Sequence, residues 1–456
     1  MKIKIRKDRY FKRTIDKHLE RWVTKNNPKT IALINGARRT GKTYSLAFLG
    51  ENHFGNYEII EVDKLGNDVI ASLIDKSLRL SFFCDYLLSQ FGISREDINK
   101  DLLIIFDEIQ ERNELKETIS FLNDKLDCRF ACTGSALWIN DTNGTRPTPD
   151  YEPFKVLPFS FVQFLEIIGE DKELFENEQN ILLTKKDNDG NKDLLKLLRL
   201  YIAIGGMPQI IDCYLDNKDK EDLYYEIHRQ KTSSIINTYE NDLRRYSQKF
   251  NLRLLDEYKN IIRNIGLPRN ITGNKEIYQK LEQMNIVVLS KNLNDIQTKL
   301  SSSVDDLLVK PFLLDVGVLF HYLCGSDNEE IIKLFYSNFI SGNDSDNNGY
   351  LYENYVASSL VQNYLLLFFK TFTELNNEGE EENYELDFVF SNKLGPVVLE
   401  AKSGGNKKHK SLERAMGKYQ KIKQCFILSK SYKFNKQNIQ RGPHYIPFYM
   451  LDFLMR

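Results

Sequence analysis

The chain has 456 residues, 41% hydrophobic and 28% charged, with 63 Lys and Arg against 64 Asp and Glu for a net charge of -1. That length exceeds one ordinary core and predicts three or four units, and the composition excludes a disordered or fibrous chain. Balanced charge names no partner, and six cysteines without a C-x-x-C pair (Cys84, Cys128, Cys132, Cys213, Cys324, Cys425), accompanied by only six histidines, indicate neither a disulfide framework nor a zinc site.

The opening stretch, 1-MKIKIRKDRYFKRTIDKHLERW-22, is basic and amphipathic but lacks the apolar core of a secretory signal. Elsewhere no run approaches the roughly 18 uncharged apolar residues of a membrane span, so the expectation is a cytoplasmic protein without a membrane partner. Residues 1–27 read as a charged helix ending at Asn26-Asn27-Pro28. The β-branched run 30-TIALING-36 reads as a buried parallel strand. Short apolar runs then alternate with helical stretches: 57-YEIIEV-62, 80-LSFFCDYLLSQF-91, 102-LLIIFDEIQ-110 and 128-CRFACTGSAL-137. This alternation predicts a doubly wound α/β sheet.

The Pro- and Gly-rich 143-NGTRPTPDYEP-153 marks a boundary, and 158-PFSFVQFLEII-168 opens a mostly helical region reaching about residue 245. Within it, 182-LLTKKDNDGNKDLL-195 reads as an exposed turn and 204-IGGMPQII-211 as a sharp break. Helical 276-EIYQKLEQMNIV-287 and strand-like 286-IVVLSKN-292 suggest a small winged-helix-like domain within 252–323. A loop-rich boundary at 325–350 precedes a long helix over 350–369, an acidic segment from Glu374 to Glu385, two strands in 385-ELDFVFSNKLGPVVLEAKSGG-405, and a Lys-rich remainder. The expected division is an N-terminal basic helix (1–27), a P-loop core (28–150), a helical lid (151–245), a winged-helix-like domain (246–325) and a C-terminal α/β domain (326–456).

The strand at 30 runs into 36-GARRTGKT-43, which satisfies G-x-x-x-x-G-K-[ST]. Gly36 and Gly41 let the backbone form a nest of N–H donors for phosphates, and the following helix N-terminus adds its dipole. Lys42 would reach the β and γ phosphates of ATP, and the Thr43 hydroxyl would ligate Mg²⁺. The strand 102-LLIIFDEIQ-110 ends in adjacent carboxylates, Asp107 for Mg²⁺ and Glu108 to polarise the attacking water as general base. Alone, Asp-Glu after a strand equally suits a helix N-terminus; behind a P-loop the functional reading prevails. Thr133 and Ser135, at the tip of the next strand, would hydrogen-bond the γ-phosphate or the water. Arg38 and Arg39 are extra charge inside the loop that either screens phosphate or faces solvent. Were subunits to act on one another's ATP, an arginine finger would be needed, with Arg129, Arg146 and later arginines as undistinguished candidates.

With 36-GARRTGKT-43, 103-LIIFDEIQ-110, 133-TGSAL-137, 157-LPFSFVQFLE-166 and 204-IGGMPQ-209 in this order, the chain resembles a family of bacterial and archaeal AAA-type ATPases that carry a C-terminal PD-(D/E)xK, restriction-endonuclease-like domain. The family's Asp-x-Gly segment is similar to 310-KPFLLDVGVLF-320, its C-terminal helix carrying Glu to 349-GYLYENYVASSL-360, and its Glu-x-Asp-Phe and Glu-x-Lys-Ser elements to 385-ELDF-388 and 400-EAKS-403. The loop 140-NDTNGTRPTPDYEP-153 is longer than the family pattern, and an acidic tract, 378-EGEEENYE-385, directly precedes the second site. The resemblance implies ATP binding, DNA association and homo-oligomers.

Read from the residues, a divalent-metal nuclease needs converging carboxylates and a Lys. Asp387 and Glu400 would supply metal ligands from adjacent strand ends, Glu353 would complete the cluster, and Lys402, two residues beyond Glu400, would share its face. An exposed same-face Glu-x-Lys ion pair is the alternative for Glu400 and Lys402 alone. Lys402 through Arg441 holds twelve Lys and Arg against one acid, Glu413, whereas Glu374 through Asp387 holds seven carboxylates. Such a basic stripe suits a phosphate backbone or a solvated helix face. The alternative to a DNA-directed ATPase is a nucleotide-dependent switch or scaffold whose C-terminal fold serves interaction.

Overall fold

The computed structural model describes residues 9–25, 29–137, 149–170, 173–343, 348–375, 379–402 and 410–455. Arg146, Lys407, Lys408 and most of the 140–153 loop lie outside the described residues. Two compact units divide the chain, residues 1–157 with 283–285, and 158–282 with 286–456.

In the first unit, helix α1 (Thr14–Thr24) is followed by β1 (Ile31–Asn35), α2 (Lys42–His53), β2 (Asn56–Glu61), α3 (Asn67–Ile74), α4 (Arg79–Phe91), β3 (Leu102–Asp107), α5 (Leu115–Lys125), β4 (Arg129–Gly134) and β5 (Tyr151–Lys155). The strands form one parallel sheet in the order β2-β3-β4-β1-β5. Successive strand residues point to opposite faces. Ile31, Leu33, Ile104, Phe106, Phe130 and Cys132 pack with Phe83, Leu87, Ile119 and Leu122 on one face. Ala32, Ile34, Leu103, Ile105 and Ala131 pack with Ile15, Leu19, Trp22, Leu46 and Ala47 on the other. Both faces are thus covered by helices, which is why the strands read as continuous apolar runs rather than alternating ones. The N-terminal helix is shorter than 1–27: α1 begins after Arg13, whose backbone N–H donates to Asp16 Oδ2 at 2.8 Å.

The second unit begins with α6 (Phe161–Ile168), where Ser160 and Gln163 form a capping box, Gln163 N to Ser160 Oγ at 3.4 Å and Ser160 N to Gln163 Oε1 at 3.0 Å. It continues through α7 (Glu173–Thr184), α8 (Lys192–Ile204), α9 (Pro208–Asn217), α10 (Leu223–Lys231), α11 (Asn237–Phe250) and α12 (Leu254–Arg263). The Gly205-Gly206 break between α8 and α9 follows from close packing. Gly205 has φ 85°, and a Cβ on Gly206 would lie 2.1 Å from the Phe159 carbonyl oxygen. Gly206 N donates to Asp315 Oδ2 at 2.7 Å, while buried Lys231 donates to Ala203 O at 2.5 Å and Gly317 O at 2.9 Å.

After β6 (Arg269–Asn270), α13 (Lys275–Gln283), β7 (Val287–Leu293) and β8 (Val304–Leu313) come α14 (Val316–Cys324), α15 (Glu329–Ser341), α16 (Gly349–Gln362), β9 (Phe368–Leu375), β10 (Glu381–Asn392), β11 (Gly395–Ala401), α17 (Lys410–Lys418), β12 (Gln424–Ser429) and β13 (His444–Pro447). One mixed eight-stranded sheet, ordered β13-β12-β11-β10-β9-β7-β8-β6, contains the ribbon expected to close a separate winged-helix-like domain. The ribbon is continuous with the C-terminal strands because β7 pairs in parallel with β9. The expected helix over 350–369 stops at Gln362, with Tyr364 at φ 60°, and Phe368 starts β9. The run 365-LLLFF-369 carries no periodicity that separates helix from strand, and pairing with β10 decides it.

Candidate functional site

The P-loop lies between β1 and α2. Gly41, at φ 86°, caps α2, and a Cβ on Gly36 would lie 2.3 Å from the Val156 carbonyl oxygen, so neither position accepts a side chain without strain. Lys42 is buried, its Nζ donating to Gly36 O at 3.1 Å and Ala37 O at 3.0 Å, which folds the side chain over the loop where phosphates would lie. Thr43 Oγ1 donates to Asp107 Oδ1 at 2.8 Å, and Thr133 Oγ1 also donates to that oxygen. A hydroxyl and a carboxylate thus meet at the end of β3 as a Mg²⁺-bearing nucleotide requires. Burial pushes the Asp107 carboxyl up, with the Glu108 charge adding and the Thr133 and Thr43 hydrogen bonds opposing. Such a carboxylate favours a nearby cation.

Glu108 sits in the left-handed region, φ 56° and ψ 47°, where a non-glycine residue is uncommon. Its backbone N–H donates to Thr133 Oγ1 at 3.3 Å. Ser135 Oγ donates to Glu108 Oε2 at 3.2 Å, and Gln110 Nε2 donates to the same oxygen. Arg38 Nη1 lies 3.5 Å from Glu108 Oε1 and Arg38 Nη2 lies 3.8 Å from Glu111 Oε1. Burial alone would raise the Glu108 carboxyl, but the charges of Lys42 and Arg38 outweigh it and hold the group below its ordinary range. The structure therefore brings Gly36, Gly41, Lys42, Thr43, Asp107, Glu108, Thr133 and Ser135 together. Gln110 is a partner that the sequence reading passed over, although its place two residues after Glu108 was the available signal.

Of the two loop arginines, Arg38 faces carboxylates and Arg39 is exposed at φ 68°. Arg129 is engaged within its own chain. Its Nη2 donates to Val23 O at 3.3 Å and Lys25 O at 2.6 Å, and its guanidinium lies 5.2 Å from the Trp22 ring, so it holds the end of α1.

In the second unit, β10 and β11 form a hairpin in which Phe388 pairs with Leu399, placing Asp387 and Glu400 at the next cross-strand step. The β9–β10 register shifts between Leu386 and Val389, an irregularity of the kind that re-aims a side chain. Asp387 Oδ2 accepts from Ala401 N at 3.0 Å. Lys402 Nζ lies 4.0 Å from Asp387 Oδ2 and 3.6 Å from Glu400 Oε2. Glu353 on α16 joins this charged neighbourhood; burial pushes its carboxyl up to about 7, with Asp387 adding. Two groups without an assigned role complete it. Lys310 on β8 is 1% exposed and its Nζ lies 2.8 Å from Glu385 Oε1. Burial would lower the Lys310 ammonium, but Asp387, Glu385 and Glu353 together hold it raised. The signal for Lys310 was a lysine inside an apolar strand run, 308-LVKPFLL-314.

The expected metal ligands Glu353, Asp387 and Glu400 do not form a coordination shell: among the described residues no three His, Cys, Asp or Glu side chains are grouped to hold a metal ion. Lys402 stands beside two of the three carboxylates, on the face that its two-residue spacing from Glu400 predicts.

Comparison with known proteins places the first site. Residues 28–165 match the family AAA_14, described as an AAA domain, so the chain carries an AAA-type P-loop ATPase domain. Uncharacterized protein MJ1544 of Methanocaldococcus jannaschii is 25% identical over 262 residues, covering 57% of this chain and 51% of that protein, so the chain matches about half of that relative's length. Among solved structures, the Walker-type ATPase PABY2304 of Pyrococcus abyssi has a TM-score of 0.41 at 18% identity over 70% of this chain and 97% of the other. The Aeropyrum pernix ORC1 protein, solved in complex with DNA, has a TM-score of 0.30 at 15% identity over 74% and 95%. Likeness at those scores carries no functional weight.

Proposed function

We propose that the protein is a Mg²⁺-dependent, ATP-hydrolysing switch whose C-terminal sheet is a nuclease-like module that contacts DNA without cutting it. The observation that carries the first part is the meeting of Thr43, Asp107 and Glu108 beside the P-loop lysine. Lys42 binds the β and γ phosphates, Thr43 and Asp107 hold Mg²⁺, and Glu108 accepts a proton from the attacking water. Ser135 and Gln110 orient the Glu108 carboxylate. Held by Thr43 and Asp107, Mg²⁺ would supply positive charge that offsets the phosphate oxygens. Replacing Glu108 by Gln should not weaken ATP binding while slowing hydrolysis by roughly 10²- to 10⁴-fold, the usual worth of a general base. Unchanged turnover would remove Glu108 from that role.

DNA contact is supported by exposed Lys410, Lys418, Lys421, Lys423, Lys430 and Lys433 along α17 and β12 and their flanks. Affinity for duplex DNA should fall steeply as salt rises, because released counterions drive such binding. Little affinity at any salt would favour the second reading, a scaffold that recruits a protein through the same fold. Loss of cutting is supported by the carboxylates themselves, since among the described residues Glu353, Asp387 and Glu400 are not grouped to hold a metal ion. Plasmid incubated with Mg²⁺ or Mn²⁺ should stay intact; cleavage that disappears in Asp387→Ala and Lys402→Ala would overturn this. Homo-oligomerisation, which AAA-type domains suggest, is part of the proposal and is measured by sedimentation with and without an ATP analogue.

A further inference from the structure

The carboxylate assigned to the attacking water is fully engaged. Ser135 and Gln110 reach Glu108 Oε2, and Arg38 reaches Glu108 Oε1 at 3.5 Å while also facing Glu111 Oε1 at 3.8 Å. These two arginine contacts are long for charge-assisted hydrogen bonds, which settle near 2.7–2.9 Å. Arg38 is the third residue of the loop that starts at Gly36 and wraps the phosphates, whereas its neighbour Arg39 is exposed. A planar guanidinium with a forked set of donors is matched to phosphate oxygens at least as well as to two separate carboxylates.

We propose that Arg38 reads the γ-phosphate: it pairs with Glu108 and Glu111 when no triphosphate is bound, transfers to the γ-phosphate when ATP enters, and thereby frees Glu108 to face water. This rests on the ATPase reading. Arg38 is a positioning residue with respect to Glu108 and a binding residue with respect to ATP. It makes the site prefer ATP over ADP. Lys42 is the other cation facing Glu108. It reaches the β-phosphate that both nucleotides carry, so its removal should weaken both.

The test is equilibrium binding of Mg·ADP and Mg·AMP-PNP to the full chain and its variants. Arg38→Ala should lose about tenfold in AMP-PNP affinity, the worth of one charge-assisted contact, with ADP affinity within about twofold of wild type. Glu108→Gln should bind AMP-PNP roughly two- to fivefold more tightly, because Arg38 then leaves a weaker partner, and this gain should vanish in Arg38→Ala/Glu108→Gln. Arg38→Lys, which keeps the charge without the fork, should fall between wild type and Arg38→Ala and guards against a misfolded alanine variant. An unchanged AMP-PNP to ADP ratio in Arg38→Ala and Arg38→Lys, or an equal loss for both nucleotides, overturns the proposal. Failure of the ATPase reading looks different: the wild type binds neither nucleotide, or Lys42→Ala binds both as well as wild type does, and the proposal then falls with it.

Discussion

Thr43 Oγ1 and Asp107 Oδ1, 64 residues apart in the chain, are joined by a 2.8 Å hydrogen bond at the end of β3. The contact exists because β1 and β3 flank β4 in one parallel sheet, which brings the loop after the first strand beside the tip of the other. Thr43→Ala and Asp107→Asn should each lower ATP turnover by roughly 10²-fold or more, the scale on which electrostatic groups around a transferring phosphoryl act. Raising Mg²⁺ should restore part of the loss if both hold the cation; a Mg²⁺ titration curve that does not shift in either variant contradicts the assignment.

Gly36→Ala should destabilise the first unit. A methyl there would sit 2.3 Å from a backbone oxygen of Val156 and 3.1 Å from Thr40 Oγ1, so the loop or the strand end must move. Overpacking of this kind costs about 1–3 kcal/mol, read as a lower urea midpoint. A variant with wild-type stability and nucleotide affinity would show that the loop relaxes freely.

Much of the first unit was legible in the sequence because its signals are local. The strands at 30, 102 and 128 are apolar runs ended by functional residues, and the P-loop glycines announce their own geometry. The spacing of Asp387 and Glu400 was legible too, since the turn between β10 and β11 sets them opposite each other, one step beyond the Phe388–Leu399 pair. What escaped depends on non-local pairing. The ribbon of β7 and β8 reads as a winged-helix element until β9 pairs with β7, and strand preference reflects such context more than residue identity. The placement of Lys402 beside Glu400 and Asp387 follows its two-residue spacing, whereas that of Arg38 against Glu108 rests on ångström-scale side-chain geometry that spacing does not encode.

The stacked rings of His228 and His321, with centroids 4.0 Å apart, give a pH dependence to stability. Burial pushes His228 down to about 4, with Lys231 adding, and His321 down to about 2, with His228 and Lys231 adding. Both are neutral in the folded protein, whereas in the unfolded chain both titrate near 6.5. Stability from this pair is therefore complete above about pH 6.5 and is lost as pH falls from there toward 4, because the unfolded state takes up protons that the folded state refuses. The slope is at most about 1.4 kcal/mol per pH unit for each histidine. Thermal melts between pH 7 and 4 should show a shallower acid decline in His321→Phe than in wild type; parallel declines would assign the acid sensitivity elsewhere.

Lys310, 1% exposed and 2.8 Å from Glu385, holds the charged cluster of the second unit together. Lys310→Ala should destabilise by roughly 1–3 kcal/mol, because it leaves the partly exposed Glu385 without its hydrogen-bonded ammonium and takes away the cation facing Glu353 and Asp387. Lys310→Met/Glu385→Leu should recover much of that loss, since an apolar pair of similar volume replaces an ion pair at little cost. Denaturant melts of the two variants decide the point, and equal stability of both would mean that Lys310 acts through packing rather than charge.

The central claim is ATP hydrolysis at the P-loop, and steady-state phosphate release by wild type and Lys42→Ala tests it most directly. Wild type should turn over ATP only with Mg²⁺ present, and Lys42→Ala should be slower by roughly 10²-fold or more, as expected for loss of a phosphate-clamping charge. Equal phosphate release from the two proteins, or release that ignores Mg²⁺, would contradict it.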